Sequence, residues 1–239
     1  MNFDSFETPF DAVVIGASGG IGAAVCGLLN DSPQVSQVLA LSRSDPASLI
    51  DLTDEVSIAA AAGRAAQLPN LRLVFVATGL LHDGETLQPE KALRSLEPDA
   101  MARNFAINAI GPALVLKHFA PLLPRQGKAV FAAISARVGS ISDNRLGGWY
   151  SYRASKAALN MLLKSAAIEL GRTRRDLVVL GLHPGTVDTG LSKPFQSNVS
   201  DGKLFSTGQS ARYLLDVIDR AGPEVTGNVV DWDGQTVPA

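Results

Sequence analysis

Strand-like and helix-like patterns alternate along the whole chain, and this alternation restricts the fold more than any other feature of the sequence. Six short apolar runs are typical of parallel strands that are covered on both faces; they are DAVVIGA (11–17), QVLALS (37–42), LRLVFVA (71–77), KAVFAAIS (128–135), LVVLGL (177–182) and GNVVDW (227–232). Helical patterns lie between them, at residues 20–30, 54–67, 97–122, 151–172 and 207–220. Because such alternation builds parallel sheets with right-handed crossovers, we expect an α/β fold, a doubly wound parallel sheet (Rossmann-like) with helices on both faces.

The length of 239 residues predicts a single domain, residues 1–239, with residues 1–10 as an N-terminal extension. One more strand is expected between residues 43 and 53, although SDPASLIDLT (44–53) is a short and weak pattern. Segment 184–206 is rich in Gly, Ser, Asp and Pro and follows the carboxyl end of a strand, where α/β proteins bind ligands. We therefore expect residues 186–206 to form a substrate lid.

Charge and hydropathy exclude several classes of partner. The net charge is −2, which gives no attraction to nucleic acid. No apolar stretch approaches the roughly 18 residues of a membrane span, and the N-terminus lacks the apolar region of a secretory signal. The single cysteine, Cys26, cannot form an internal disulfide and is predicted to be a core residue. The sequence thus predicts a cytoplasmic protein without a metal site.

A glycine-rich turn follows the first predicted strand. GASGGIG (16–22) places glycines at positions 16, 20 and 22, a G-x-x-x-G-x-G spacing, and a helical pattern follows at once. Glycines let the backbone approach a pyrophosphate, and the helix N-terminus offers free N–H groups and a positive dipole end. This context predicts a dinucleotide site, with Gly16, Ser18, Gly20, Ile21 and Gly22 as contacts.

The second predicted strand ends in LSRSD (41–45), where the adenosine ribose of a dinucleotide is expected. Arg43 stands there between two hydroxyls, Ser42 and Ser44, instead of a carboxylate that would favour NAD. Because a guanidinium suits a phosphate, we expect NADP as the cofactor, with NAD as the alternative. Arg43 could equally be a surface arginine at a strand end.

Tyr152 and Lys156 lie four residues apart, so on a helix they share one face. Free tyrosine titrates near pH 10, and a cation one turn away stabilises the phenolate and lowers that pKa. The pair is therefore a candidate acid–base centre, although an ordinary amphipathic helix produces the same spacing. Asn108 is a third candidate, because Pro112 lacks the N–H that would bond the Asn108 carbonyl and leaves it free to bind water.

The chain resembles the short-chain dehydrogenase/reductase family over nearly its whole length. The resemblance rests on GASGGIG (16–22), DLT (51–53), ATG (77–79), NAIGP (108–112), YRASK (152–156) and HPGTVDT (183–189), all in the family's order. SDNRLGGWYSYRASKAALN (142–160) and DWDG (231–234) are similar to the C-factor-like carbonyl reductase branch.

This resemblance implies a nicotinamide cofactor and hydride transfer to or from a carbonyl group. Tyr152 would donate the proton, and a relay would run through the ribose and Lys156 to water at Asn108. The implied cofactor contacts are Asp51 and Leu52 at the adenine, Ala77, Thr78 and Gly79 at the ribose, Pro184, Gly185, Val187 and Thr189 at the nicotinamide, and Tyr152 and Lys156 themselves.

Two positions depart from the family's pattern. Val76 and Ala77 replace the first two residues of the usual Asn-Asn-Ala-Gly. More important, the family has a pair of serines, of which the second polarises the substrate carbonyl. When the pattern is aligned on Gly139, Ser135 stands at the first serine and Ala136 at the second. Successive strand side chains face opposite ways, so three explanations stay open: a bulge that brings Ser135 round, a hydroxyl from Ser140 or Ser142, or no such hydroxyl. Ser135 is kept as a candidate catalytic residue.

These features predict an NAD(P)H-dependent oxidoreductase that reduces a small-molecule ketone or aldehyde. The alternative is a dinucleotide-binding sensor or signalling protein with little or no turnover. The resemblance also implies a homodimer or homotetramer through helices 97–122 and 151–172. The substrate pocket is expected to be mostly apolar and to draw on Leu80, Leu81, Arg137, Trp149 and residues 190–206. His183 is expected either near the nicotinamide or as a structural histidine.

Overall fold

The structure, a computed structural model, describes residues 1–84, 86–198, 200 and 202–239. Two residues of the predicted lid, 199 and 201, lie outside the described residues. The strands are β1 (Phe10–Ile15), β2 (Val35–Leu41), β3 (Leu71–Val76), β4 (Ala129–Ile134), β5 (Leu177–His183), β6 (Thr186–Val187), β7 (Leu204–Phe205) and β8 (Val229–Asp231). β6 and β7 pair separately, and the others form one parallel sheet in the order β2-β1-β3-β4-β5-β8. The six predicted strands and the doubly wound fold are confirmed.

Helices cover both faces of this sheet. They are α1 (Gly20–Asn30), α2 (Glu55–Ala65), α3 (Pro98–Phe105), α4 (Gly111–Phe119), α5 (Tyr150–Leu170) and α6 (Thr207–Arg220). Helices α2, α4 and α5 close one apolar core, and α1 and α6 close the other. The carboxyl ends of β1, β3, β4 and β5 all meet at one edge, so the loops after them form a common site.

The predicted helix 97–122 is divided. A π-helix, Ala106–Ile110, joins α3 to α4, and a 3₁₀ turn, Ala120–Leu122, follows. This stretch, Pro98–Leu122, is long and apolar enough to cross a membrane by length and composition, with a mean hydropathy of 1.3, contrary to the sequence expectation. Length and composition do not distinguish a span from a core helix, and this one packs against α2 and α5.

The strand expected between residues 43 and 53 is wrong. Pro46–Ser48 form a 3₁₀ turn, in which the Asp45 carboxylate accepts the Ala47 N–H (3.0 Å), and a single β-bridge links Ser42 to Leu49. Proline removes a ladder donor, so the segment does not extend the sheet. Ile50 and Leu52 are nevertheless buried, which explains the apolar pattern.

The predicted N-terminal extension belongs to the core. Phe3 is fully buried, and its ring lies 5.3 Å from that of Phe10, while Phe6 stacks on Phe10 at 4.7 Å. The Ser5 hydroxyl donates to the Asp219 carbonyl at the end of α6 (2.6 Å). Residues 1–10 therefore close the sheet face that α1 and α6 cover.

Candidate active site

At three glycines of the first turn, Gly16, Gly20 and Gly22, a side chain would clash with neighbouring atoms of the protein. Gly16 has a φ of +85°, and a Cβ there would lie 2.9 Å from the Ala77 carbonyl oxygen. A Cβ on Gly22 would lie 2.2 Å from the Gly16 carbonyl oxygen, and one on Gly20 would meet Thr189 at 2.9 Å. Helix α1 begins here without a side-chain cap, so its N–H groups and positive dipole end remain available to an anion.

Two adjoining cavities of about 440 Å³ each open at this edge of the sheet. They share a wall made by Gly19, Ala77, Thr78 and Gly79. The Thr78 hydroxyl in this wall is buried and has no hydrogen-bond partner among the described residues. A buried hydroxyl without a partner is costly, so the wall suits a bound molecule with polar groups that spans both cavities.

The first cavity collects the residues predicted around the adenosine. The predicted contacts that line it are Gly16, Ser18, Arg43, Asp51, Leu52, Ala77, Thr78 and Gly79. Arg43 is exposed at its mouth. The Asp51 carboxylate accepts bonds from the Thr53 N–H (2.8 Å) and hydroxyl (2.7 Å), and these bonds, with Arg43 nearby, lower the Asp51 pKa.

The second cavity collects the residues predicted around the nicotinamide and the reacting carbonyl. The predicted contacts that line it are Gly20, Ile21, Ala77, Thr78, Gly79, Tyr152, Lys156, Pro184, Gly185, Val187 and Thr189. Gly185 has a φ of +74°, and a Cβ there would meet the Phe205 ring at 2.6 Å. Ser135, Ala136 and His183 also line this cavity.

Tyr152 and Lys156 lie on the first turns of α5, above the end of β4. The Lys156 Nζ donates to the Ile134 carbonyl (2.8 Å) and lies 5.9 Å from the Tyr152 ring centre. Burial raises the pKa of Tyr152 to about 12 and lowers that of Lys156 to about 7. The lowered tyrosine pKa expected from the sequence is therefore not found, because burial outweighs the distant cation.

Asn108 lies in the π-helix and is fully buried. Its side-chain oxygen accepts the Leu80 N–H (2.7 Å), and its Nδ2 donates to the Leu80 carbonyl (2.8 Å) and the Ser155 hydroxyl (3.1 Å). The Gly111 N–H bonds Ala106 instead of the usual residue four positions back. Asn108 thus ties the loop after β3 to the helix that carries Tyr152.

The hydroxyl of Ser135 has another partner. It donates to Asn160 Oδ1 on α5 (2.6 Å), and the regular Ser135 N–H bond to Leu182 (2.8 Å) leaves no bulge at this strand end. Ser140 and Ser142 both direct their hydroxyls to the Ala239 carbonyl. Of the three explanations, the structure favours the one in which no serine hydroxyl replaces the one missing at Ala136.

His183 ends β5 with its Nδ1 buried and without a partner among the described residues. Burial lowers its pKa to about 4, so the imidazole is neutral near pH 7. The structure places Leu80 in the first cavity and Leu81 in the second. Arg137, expected in the pocket, instead pairs with Asp143 (2.6 Å) and is half exposed.

Two features of the site had no clear signal in the sequence. Glu90 is buried, and its carboxylate accepts the N–H (3.1 Å) and the hydroxyl of Ser151, the residue before Tyr152. Phe195, from the predicted lid, packs edge-on against Trp149 with ring centres 4.9 Å apart. The first feature fixes the start of α5, and the second closes one side of the second cavity. Among the described residues, no group of three or more His, Cys, Asp or Glu side chains is arranged to hold a metal ion.

The sequence profile of the short chain dehydrogenase family matches residues 11–200. The 1-hydroxy-2-glutathionyl-2-methyl-3-butene dehydrogenase of Rhodococcus sp. (strain AD45) is 33% identical over 233 residues, 93% of this chain and 96% of that protein. The C-signal protein of Myxococcus xanthus is 40% identical over 147 residues, 62% of this chain and 83% of that protein.

Solved structures share the fold over nearly the whole chain. The NADPH-bound carbonyl reductase from chicken fatty liver superposes with a TM-score of 0.82 at 24% identity, covering 98% of this chain and 96% of that one. A putative short-chain dehydrogenase/reductase from Burkholderia multivorans with bound NADP gives a TM-score of 0.77 at 26% identity, covering 98% of this chain and 100% of that one.

Proposed function

Because the chain belongs to the short-chain dehydrogenase family, in its C-factor-like branch, we propose that it is an NADPH-dependent oxidoreductase that reduces a small-molecule ketone or aldehyde. The observation that carries the proposal is the meeting of Tyr152 and Lys156 in one cavity with the turn that opens α1. A proton donor and a dinucleotide cradle are the two parts that carbonyl reduction requires.

The residues present fit a nicotinamide dinucleotide. Gly16 and Gly20 line the two cavities without a side chain, and the N-terminus of α1 suits the pyrophosphate of the cofactor. The Thr78 hydroxyl, which has no partner among the described residues, suits a ribose. Arg43 at the mouth of the first cavity favours a 2′-phosphate, and hence NADP over NAD. When bound, the reduced nicotinamide supplies the hydride that forms the new C–H bond at the carbonyl carbon.

In this proposal Tyr152 donates its phenolic proton to the carbonyl oxygen. The high pKa of Tyr152 keeps the phenol protonated before the reaction, as a donor requires. Lys156, with a pKa of about 7, gains and loses a proton near neutral pH, which suits it to restore the proton of Tyr152. The Asn108 side chain holds the loop at Leu80, and in this proposal the Asn108 main-chain carbonyl would bind the water that ends the proton relay from Lys156.

The name of the Rhodococcus relative specifies a glutathione conjugate, a substrate with two carboxylates. The described residues that line the second cavity include no arginine and only one lysine, Lys156, which bonds Ile134. The lining of the second cavity therefore does not support a glutathione conjugate as the substrate of this protein.

A second candidate function is a dinucleotide-binding sensor with little turnover. Ala136 favours it, because the hydroxyls of Ser135, Ser140 and Ser142 are all bonded elsewhere. Such a protein would bind NADPH without reducing any carbonyl compound.

Turnover and binding measured together separate the two candidates. We expect NADPH oxidation with a panel of aldehydes, ketones and diketones, and tighter binding of NADPH than of NADH by calorimetry. Tyr152→Phe should lower kcat by about 10²-fold or more while NADPH binding is retained, because only the proton donor is lost. Binding without turnover in the parent protein, unchanged by Tyr152→Phe, would favour the sensor.

A further inference from the structure

The wall of the second cavity beyond the predicted cofactor contacts is neutral and mostly apolar. Leu81, Val138, Trp149, Leu191 and Phe195 line it together with Ala136. Among the described lining residues there is no arginine, aspartate or glutamate, and the imidazole of His183 is neutral near pH 7. A carboxylate packed on this wall would lose its water, and no cation of the wall itself would compensate that cost.

Trp149 is held against this cavity by an unusual backbone. Gly147 and Gly148 each have a φ of +65°, and Trp149 follows with a φ of 52° in the left-handed region, which bulky residues rarely adopt. The Trp149 N–H donates to the Glu90 carbonyl (2.5 Å). Backbone strain of this kind persists where the surroundings enforce it, often at ligand sites. The turn fixes the indole 6.3 Å from the Tyr152 ring, centre to centre.

The lid segment completes an aromatic wall. Phe195 packs edge-on against Trp149, and His82 packs edge-on against Phe195 with ring centres 5.8 Å apart. His82 Nε2 also lies within hydrogen-bond distance of the Gly190 (3.1 Å) and Leu191 (3.2 Å) carbonyls. The loop after β3 and the lid therefore hold Phe195 and Trp149 together beside the proton donor.

We propose that the substrate of the reductase is a compact, uncharged aromatic aldehyde or ketone whose ring packs on Trp149 and Phe195, and that this wall rejects carboxylated analogues. The proposal rests on the proposed function and names the substrate class of the same site. The cavity of about 440 Å³ must also accept the nicotinamide, so the space left for the substrate is that of a small ring system. Aromatic rings gain from edge-on and offset contacts beyond the burial of area, which selects ring substrates over aliphatic ones.

Binding can be tested without turnover. The chain has two tryptophans, Trp149 and Trp232, and Trp232 packs against Phe205 and Tyr213 and is not among the described residues that line this cavity. Trp232→Phe therefore makes Trp149 the sole tryptophan reporter. With NADP⁺ saturating, benzamide should change its fluorescence saturably, with a Kd at least about tenfold below that of benzoate, its isosteric anion. Equal binding of benzamide and benzoate would overturn the proposal.

Turnover then tests the two rings. Trp149→Leu and Phe195→Leu should each raise KM for benzaldehyde by about tenfold while KM for propanal stays within about threefold. 4-Carboxybenzaldehyde should be a poor substrate of the parent protein. Equal effects on benzaldehyde and propanal, or efficient reduction of the carboxylated aldehyde, would overturn the substrate class. If no carbonyl compound is reduced but benzamide still binds selectively beside Trp149, the proposed function fails and the selectivity of the site stands.

Discussion

Two adjacent residues at the end of β4 differ in what they offer a substrate. Ser135 donates its hydroxyl to Asn160, and Ala136, which lines the second cavity, has no hydroxyl. In the proposed reaction the oxygen of the substrate carbonyl gains negative charge. Tyr152 on α5 would donate a hydrogen bond to it, but the end of β4 would not. Removal of one oxyanion donor typically costs about 10²–10³-fold in rate. We therefore expect the protein to be an active reductase whose kcat is lower than it would be with a hydroxyl at position 136.

The first prediction restores the missing donor. Ala136→Ser should raise kcat for benzaldehyde reduction by about tenfold or more, because a hydroxyl at this position faces the reacting carbonyl. The matched control is Ser135→Ala, which should change kcat by less than about threefold and destabilise the fold by about 1 kcal/mol through the bond lost at Asn160. Steady-state kinetics and urea unfolding measure both. A large loss of kcat in Ser135→Ala would show that Ser135 serves catalysis after all.

Among single residues, the sequence was most informative about those that are constrained by backbone geometry. A Cβ on Gly16 or Gly22 would clash with nearby backbone, and the Asn108–Pro112 spacing predicted a main-chain carbonyl without its usual partner, in the stretch where the structure has a π-helix. The partner of Ser135 could not be predicted, since Asn160 lies 25 residues away and only the packing of α5 on β4 brings them together. The pKa of Tyr152 was mispredicted for a similar reason, because burial depends on the whole fold.

The start of α5 depends on a distant carboxylate. Trp149 precedes the helix in a left-handed conformation and supplies no side-chain cap, so the first N–H groups need another acceptor. The Glu90 carboxylate accepts the N–H and the hydroxyl of Ser151, and the Glu90 main-chain carbonyl accepts the Trp149 N–H. Because Tyr152 is the next residue, Glu90 would act in the proposed reaction as a positioning residue for Tyr152.

Glu90→Ala should lower the free energy of unfolding by about 1–3 kcal/mol, because the buried Ser151 N–H and hydroxyl lose their acceptor. It should lower kcat more than it changes KM for NADPH, because most of the predicted cofactor contacts lie outside α5. Glu90→Gln keeps an acceptor oxygen and should recover most of kcat. An equal loss of kcat in the Gln and Ala variants would contradict a positioning role.

Whole elements were predictable where the pattern was regular. The strands and helices of the main sheet follow from apolar runs and periodicity, whereas the expected strand at 43–53 failed because Ile50 and Leu52 are buried in a loop. Burial and strand pairing produce the same apolar pattern, and Pro46 was the signal that separated them. The cap on α5 had no local signal, since Glu90 is 61 residues from Ser151.

Large apolar side chains are exposed at several places in the described chain, and some of them lie on the surface formed by α5 and the π-helix. Met161 is 66% exposed and Ile168 57% exposed on α5, and Ile110 is 51% exposed at the π-helix. Large apolar side chains grouped on one surface mark interaction sites. This surface belongs to the two helical regions through which the sequence predicted a homodimer or homotetramer.

The third prediction concerns assembly. The parent protein should sediment as a dimer or tetramer, and the double variant Met161→Glu, Ile168→Glu should shift toward the monomer, because charges would be buried in the interface. Val56→Glu, at a residue 78% exposed on α2, is the matched control and should leave the sedimentation coefficient unchanged. If the parent protein sediments as a monomer, the predicted homodimer or homotetramer is wrong.

The burial of Phe3 and Phe6 against the end of α6 also bears on how the protein is made. The Ser5 side chain meets Asp219 across 214 residues of sequence, so this part of the core joins early and late products of translation. At about 5–20 residues per second, roughly ten to forty seconds separate the synthesis of the two partners. During that interval Phe3 and Phe6 can pack on Phe10 but lack the cover that α6 gives them in the fold. The domain therefore closes late in synthesis, and slowing translation between these segments would lengthen the exposure.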